Sequence, residues 1–172
     1  MKKILSVLLC LILIFILAAC GSADSPVKET GGSETNTSVS KDDTFGLNDT
    51  AVFKTLKFTA TEIKESDGDG FFTPEQGNTF VGVKFTIENV SEEEQSVSSM
   101  LLFEAYANDV KCDYSINAAC AFSDGTLDGS IAPGKKLVGW YAIEVPENWE
   151  SIELEVKADW LSNKNAKFVF NK

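Results

Sequence analysis

A run in the middle of the chain limits its architecture more than any other feature. In Thr79-Phe80-Val81-Gly82-Val83-Lys84-Phe85-Thr86-Ile87-Glu88, residues Val81, Val83, Phe85 and Ile87 fall on one face, and Lys84, Thr86 and Glu88 on the other. A period of two belongs to an extended strand with one face buried. Ile152, Leu154 and Val156 alternate with Glu153, Glu155 and Lys157 in the same way. Further strands are predicted over 51–63, 101–107, 136–145 and 167–170. Between them stand turn signals: Asp67-Gly68-Asp69-Gly70, Ser91-Glu92-Glu93-Glu94, Asn108-Asp109, Asp124-Gly125, Pro133-Gly134 and Pro146-Glu147-Asn148. No long stretch carries a helical stripe. Short strands joined by such turns build an antiparallel β-sandwich, so the expected class is all-β.

The amino terminus predicts an export route. Met1-Lys2-Lys3 is a short basic start, Ile4 to Leu17 is apolar apart from Ser6, and Leu17-Ala18-Ala19-Cys20 follows. A positive region, an apolar region and small residues before a cut define a secretory signal peptide. The apolar run is shorter than the roughly 20 residues that a spanning helix needs. A cysteine directly after the small pair forms a lipobox, which predicts cleavage before Cys20 and a diacylglyceryl group on its thiol. Two acyl chains hold a protein on a membrane stably where one does not. The expected partner is therefore the membrane, reached through the lipid on Cys20, with the protein on its outer face.

Three domains follow from composition: residues 1–19 as lipoprotein signal peptide, 20–49 as lipidated cysteine and polar tether, and 50–172 as the folded sandwich. The tether is rich in Ser, Thr, Gly, Asp and Glu and buries too little to offset its ordering entropy, so it is expected to be disordered. The sandwich region holds all three tryptophans and every phenylalanine except Phe15 and Phe45, and its length suits one core.

The formal charge is −11, and losing Lys2 and Lys3 with the signal makes the chain more acidic still. Such a domain repels nucleic acid, so no nucleic-acid partner is expected. Every basic residue is a lysine, with no arginine and no histidine. Together with the lipobox, that bias points to a low-GC Gram-positive bacterium. Lack of histidine removes the Ser-His-Asp and Cys-His arrangements and imidazole metal ligation; lack of arginine removes the bidentate anion clamp.

A strand ending in Asn89 (Phe80 to Asn89) is followed by a hairpin and by Leu101-Leu102-Phe103-Glu104-Ala105-Tyr106. Ile131-Ala132-Pro133-Gly134 then feeds a strand that runs through Gly139-Trp140-Tyr141-Ala142-Ile143-Glu144-Val145-Pro146. From Phe53 to Phe170 this pattern resembles the telokin-like, Ig-like domain of bacterial lipoproteins. That is a domain-of-unknown-function family related to the mycobacterial immunoprotective extracellular antigen. The resemblance implies an Ig-like antiparallel sandwich and, since such folds host many functions, no particular activity.

Candidate chemistry is sparse. Cys112 and Cys120 are the thiols left once Cys20 is lipidated. Outside the cytoplasm the pair invites a disulfide, worth ~2–3 kcal/mol for so short a loop, with two free thiols as the alternative. Asp67 and Asp69 sit at alternate positions before a glycine, as in a calcium loop. However, Gln76 stands where the bidentate glutamate belongs, which makes a solvated hairpin loop the better reading. Phe71, Phe72, Trp149 and Trp160 stand at or near turns and form a possible binding patch if exposed. No catalytic residue and no cofactor is expected.

The sequence thus predicts a non-enzymatic, lipid-anchored extracytoplasmic protein whose sandwich binds or scaffolds an unknown protein or envelope component. A small-ligand or cation-binding lipoprotein serving a transporter is the alternative.

Overall fold

The computed structural model describes residues 26–30, 44–122, 124–158 and 165–172. Cys20, Trp160 and the signal segment lie outside these residues. The described strands are β1 (Val27–Thr30), β2 (Thr44–Phe45), β3 (Asp49–Val52), β4 (Leu56–Ser66), β5 (Asn78–Asn89), β6 (Gln95–Val97), β7 (Phe103–Ala107), β8 (Val110–Cys112), β9 (Gly129–Ile131), β10 (Lys136–Pro146), β11 (Ser151–Lys157) and β12 (Asn165–Asn171). Two short helices, α1 (Ser99–Leu102) and α2 (Ile116–Ala121), interrupt them.

One sheet runs in the order β1-β3-β4-β5-β10 and a second in the order β2-β12-β11-β7-β8. All pairings are antiparallel except β2 with β12. The two inner faces meet through aromatic rings. Phe85 of the first sheet touches Phe168 and Phe103 of the second with centroids 5.2 and 5.3 Å apart, both edge-on. Val81, Val83, Phe85 and Ile87 are all buried in this core, as their alternation requires, and so are Ile152, Leu154 and Val156. The all-β sandwich expected from the sequence is the fold observed.

Turn chemistry fixes the register. Asn108 and Asp109 both take positive φ, 48° and 64°, which is the backbone of a two-residue primed hairpin between β7 and β8. Gly134 stands at φ 68° after Pro133, and Lys135 N donates to Ala132 O at 3.0 Å, closing the turn before β10. Asn89, fully buried, ties this turn to the rest. Its Nδ2 donates to Glu93 O and Ile131 O at 2.7 Å each, and its Oδ1 accepts from Ser91 N and Ser91 Oγ.

Four departures from the sequence reading have local causes. The strand expected over 51–63 is broken at Phe53-Lys54-Thr55 into β3 and β4, where Phe53 N donates to Leu56 O across a turn. Leu101 and Leu102, expected to start the strand over 101–107, coil into α1 instead, where the Asp128 carboxylate accepts from Ser99 N at 2.9 Å and caps the turn from a distant loop. Part of the segment expected as tether pairs with the sandwich: β1 lies against β3, with Lys28 bridging to Asp49 at 2.8 Å, and β2 adds Phe45 to the core. Finally, α2 covers the outer face of the first sheet, burying Phe80, Trp140 and Ala142 beneath Ala118 and Phe122.

Candidate functional site

The free edge of β10 would expose unpaired backbone groups, an edge that natural sheets cover. Here the segment after β8 crosses from the second sheet to the first and covers it. Tyr114 forms a β-bridge with Ile143, Ser115 N donates to Ala142 O at 3.0 Å, and Thr126 bridges Trp140. Gly139 permits this, since a Cβ there would stand 2.5 Å from the carbonyl of Thr126.

At the crossing lies a cleft of about 290 Å³. Tyr141 and Phe103 stack on one another within it, centroids 4.9 Å apart and planes 19° apart, and Tyr114 lies 5.5 Å from Tyr141. Cys112 and Met100 complete the apolar lining, while Glu104, Lys111 and Asp113 supply charge. Met100 is 71% exposed, and its chain neighbour Leu101 and Ile116, two residues past Tyr114, are exposed as well.

Four of the lining groups are shifted away from neutral pH. Burial pushes the phenols of Tyr141 and Tyr114 up, with Ser99 opposing at Tyr114, and burial likewise raises the Cys112 thiol. The hydrogen bond from Lys157, 2.8 Å away, holds the Glu104 carboxyl below its usual range, and the Lys157 charge adds to this. Phenols and thiol stay neutral and the carboxylate stays ionised. Such a cleft recognises shape and offers tyrosine hydroxyls; proton transfer needs a group that titrates nearer neutrality.

The residues singled out from sequence separate in space. Phe71 is 94% exposed at the tip of the β4–β5 loop, whereas its neighbour Phe72 turns inward onto the Phe80–Trp140 cluster. Trp149 is a correction: it is only 4% exposed, because the turn after β10 folds its indole into the main core under the Lys172 ammonium, 5.0 Å from the ring. It is no part of a surface patch. Asp69 is occupied by its own loop, its Oδ1 accepting from Phe71 N and Phe72 N at 2.9 Å each, bonds that lower its pKa. Asp67 is exposed beside it. Among the described residues, no three of His, Cys, Asp and Glu gather as a metal site.

Cys112 and Cys120 are free thiols in this structure, where a bridge was the first expectation. Cys112 packs against the main core, with Sγ 3.4 Å from Val110 O, while Cys120 rides exposed on α2. Met100, Tyr114 and Tyr141 were not anticipated as a site. They are far apart in sequence and meet only through the crossing segment.

The architecture defines a small all-β sandwich with a cleft at one open edge. The chain belongs to the family described as Domain of unknown function (DUF4352), whose model matches residues 45–167. Among curated proteins none matches this sequence. Of solved structures, it is similar to the ycdA protein of Bacillus subtilis, a candidate lipoprotein, with TM-score 0.57 and 15% identity. That match covers 68% of this chain and 36% of the other, so the chain spans only about a third of that protein. It is also similar to a conserved hypothetical protein of Bacillus anthracis (TM-score 0.52, 13% identity, covering 72% of this chain and 94% of that one). The yjhA protein of Bacillus subtilis is comparable (TM-score 0.51, 18% identity, 72% and 97%). At these identities the likeness concerns the fold.

Proposed function

We propose that this protein is a lipid-anchored, extracytoplasmic binding module. It is held to the outer face of the membrane through Cys20 and uses the tyrosine-lined cleft to take an apolar side chain of another surface or envelope protein. The observation that carries the reading is the exposed Met100 lining a cleft floored by stacked Phe103 and Tyr141. Exposed apolar surface around a concavity on a rigid scaffold marks an interaction site. The cleft's size suits one large side chain, and Glu104, Lys111 and Asp113 at its edge suit a polar backbone around it. The lipobox supports the anchor, and the telokin-like kinship drawn from the Pro133-Gly134 turn and its following strand belongs to the same proposal. Cells fed an alkyne fatty acid test the anchor. Wild-type protein should carry the label and sediment with membranes, whereas Cys20→Ser protein should lose both properties. A Cys20→Ser protein that stays labelled and membrane-bound would refute the anchor. For the cleft, a photoreactive residue at position 100 should give a discrete adduct that Tyr114→Ala abolishes; an adduct indifferent to Tyr114 would refute it.

A further inference from the structure

The chain enters the sandwich at one lateral edge and carries the tyrosine cleft at the other. β1 ends the first sheet on one side and β10 ends it on the opposite side. β1 pairs Val27 to Thr30 with Val52 to Asp49, so the folded part begins only seven residues after Cys20. Lys28 pins this strand. Its ammonium bridges to Asp49 of β3 at 2.8 Å, donates to Thr44 O of β2 at 2.8 Å and stands 5.6 Å from the Phe45 ring centroid. Since β3 belongs to the first sheet and β2 to the second, one side chain fastens β1 to both. The Lys28–Asp49 pair is partly sheltered, with side chains 30% and 13% exposed, whereas pairs in open water contribute little. Glu29 adds a bridge to Lys57 of β4 at 3.1 Å.

The place where β1 docks limits how far the cleft can stand from the membrane. A fully extended chain spans at most about 3.6 Å per residue, so seven residues reach no farther than about 25 Å. With β1 undocked, the free chain would run from Cys20 to Thr44 and reach about 86 Å. The register sets Lys28 in one row with Ala51, Phe58, Ile87 and Leu137. Tyr141 lies across four strand spacings of about 4.8 Å and four residues of about 3.3 Å from Lys28, about 23 Å in all.

We propose that β1 is a mooring strand: pinned by Lys28, it keeps the cleft within about 50 Å of the bilayer, so that the partner entering the cleft is itself a membrane-bound protein. This deepens the function proposed above and rests on its Cys20 anchor and its cleft. The test uses the full-length lipoprotein, extracted from membranes and reconstituted into vesicles whose headgroups carry an energy-transfer acceptor, with a fluorescent residue at position 100. Hydrogen exchange over residues 27–30 is read on the same vesicles. The expected results are exchange at least tenfold slower than in an unpaired chain, quickened in Lys28→Ala, and transfer that falls in the double variant Lys28→Pro/Glu29→Pro. Neighbouring residues alternate in ladder pairing, so one of the two prolines removes a bond to β3. A Gly/Ser insertion before Pro26 lengthens the leash without touching β1 and should lower transfer in the same way, which keeps the test decisive if the proline variant unfolds. Free exchange over 27–30, or transfer indifferent to both changes, overturns the mooring while the anchor stands. Protein that does not enter the vesicles refutes the anchor, and the reach limit with it. On intact cells, the protein cross-linked from a photoreactive residue at position 100 should carry a membrane span or lipid of its own; an unanchored partner overturns that assignment.

Discussion

Phe103 stacks on Tyr141 across the sandwich, ring planes 19° apart, so the two sheets meet through a face-to-face aromatic contact at the cleft. Phe103 also meets Phe58 and Phe85 edge-on and is 4% exposed, which makes it the hinge of the core's aromatic cluster. Phe103→Ala should cost about 3–5 kcal/mol of stability, measured by urea unfolding, because the lost contacts and the cavity both count.

Asn89 makes a second prediction. Its amide satisfies the carbonyls of Glu93 and Ile131 inside the protein. Asn89→Ala leaves them without a donor and should cost at least about 1–3 kcal/mol. Asn89→Asp should not rescue the loss, since a carboxylate cannot donate; thermal melts of the two variants decide.

Gly139 sets the approach of the crossing segment. Gly139→Ala drives a methyl group to 2.5 Å from the Thr126 carbonyl, so the segment must lift from β10. Hydrogen exchange at Trp140 N–H, which donates to Gly125 O at 3.3 Å, should quicken markedly, with a stability loss of about 1–3 kcal/mol.

The Glu104–Lys157 pair carries a pH signature. Lys157 holds the Glu104 carboxyl below its unfolded value, so the pair's contribution is fully present above the unfolded carboxylate pKa and is lost as pH falls through the lower folded one. Wild type should exceed Glu104→Gln in stability at pH 7, and the gap should close on acidification below about pH 4.3. A gap unchanged in acid would remove the pair from the account.

The thiols give a kinetic prediction. Cys120 is exposed, while Cys112 is half-buried with its thiol pushed up by burial. Iodoacetamide should therefore modify both sites, Cys120 first, since the thiolate is the reacting form. Mass spectrometry finding neither thiol reactive without reductant would show that the bridge expected from sequence forms after all.

Much of the fold was legible in the sequence because half-buried strands write their burial into every second residue. Val81 to Ile87 and Ile152 to Val156 show this directly. Phe80, Trp140 and Ala142 fall on the other face of their strands, and that out-of-phase apolar content was the available sign of a second layer. The layer itself, α2, is six residues long and too short to display a helical stripe. The short strands β6 and β9 are held by long-range pairing, which local pattern does not reveal. Trp149 misled because its turn is exposed while its indole is not. The cleft stayed hidden because Tyr114 reaches Tyr141 only through long-range pairing of the crossing segment, as in its bridge to Ile143, which local pattern does not show.

On the function proposed above, the tyrosine-lined cleft, and not the exposed loop tip at Phe71, is the surface that meets a partner. Photo-crosslinking on intact cells from position 100, compared with position 71, tests it most directly. A discrete adduct from position 100 that Tyr114→Ala removes, with none from position 71, is the predicted outcome. An adduct from position 71 that survives Tyr114→Ala, with position 100 silent, would contradict it.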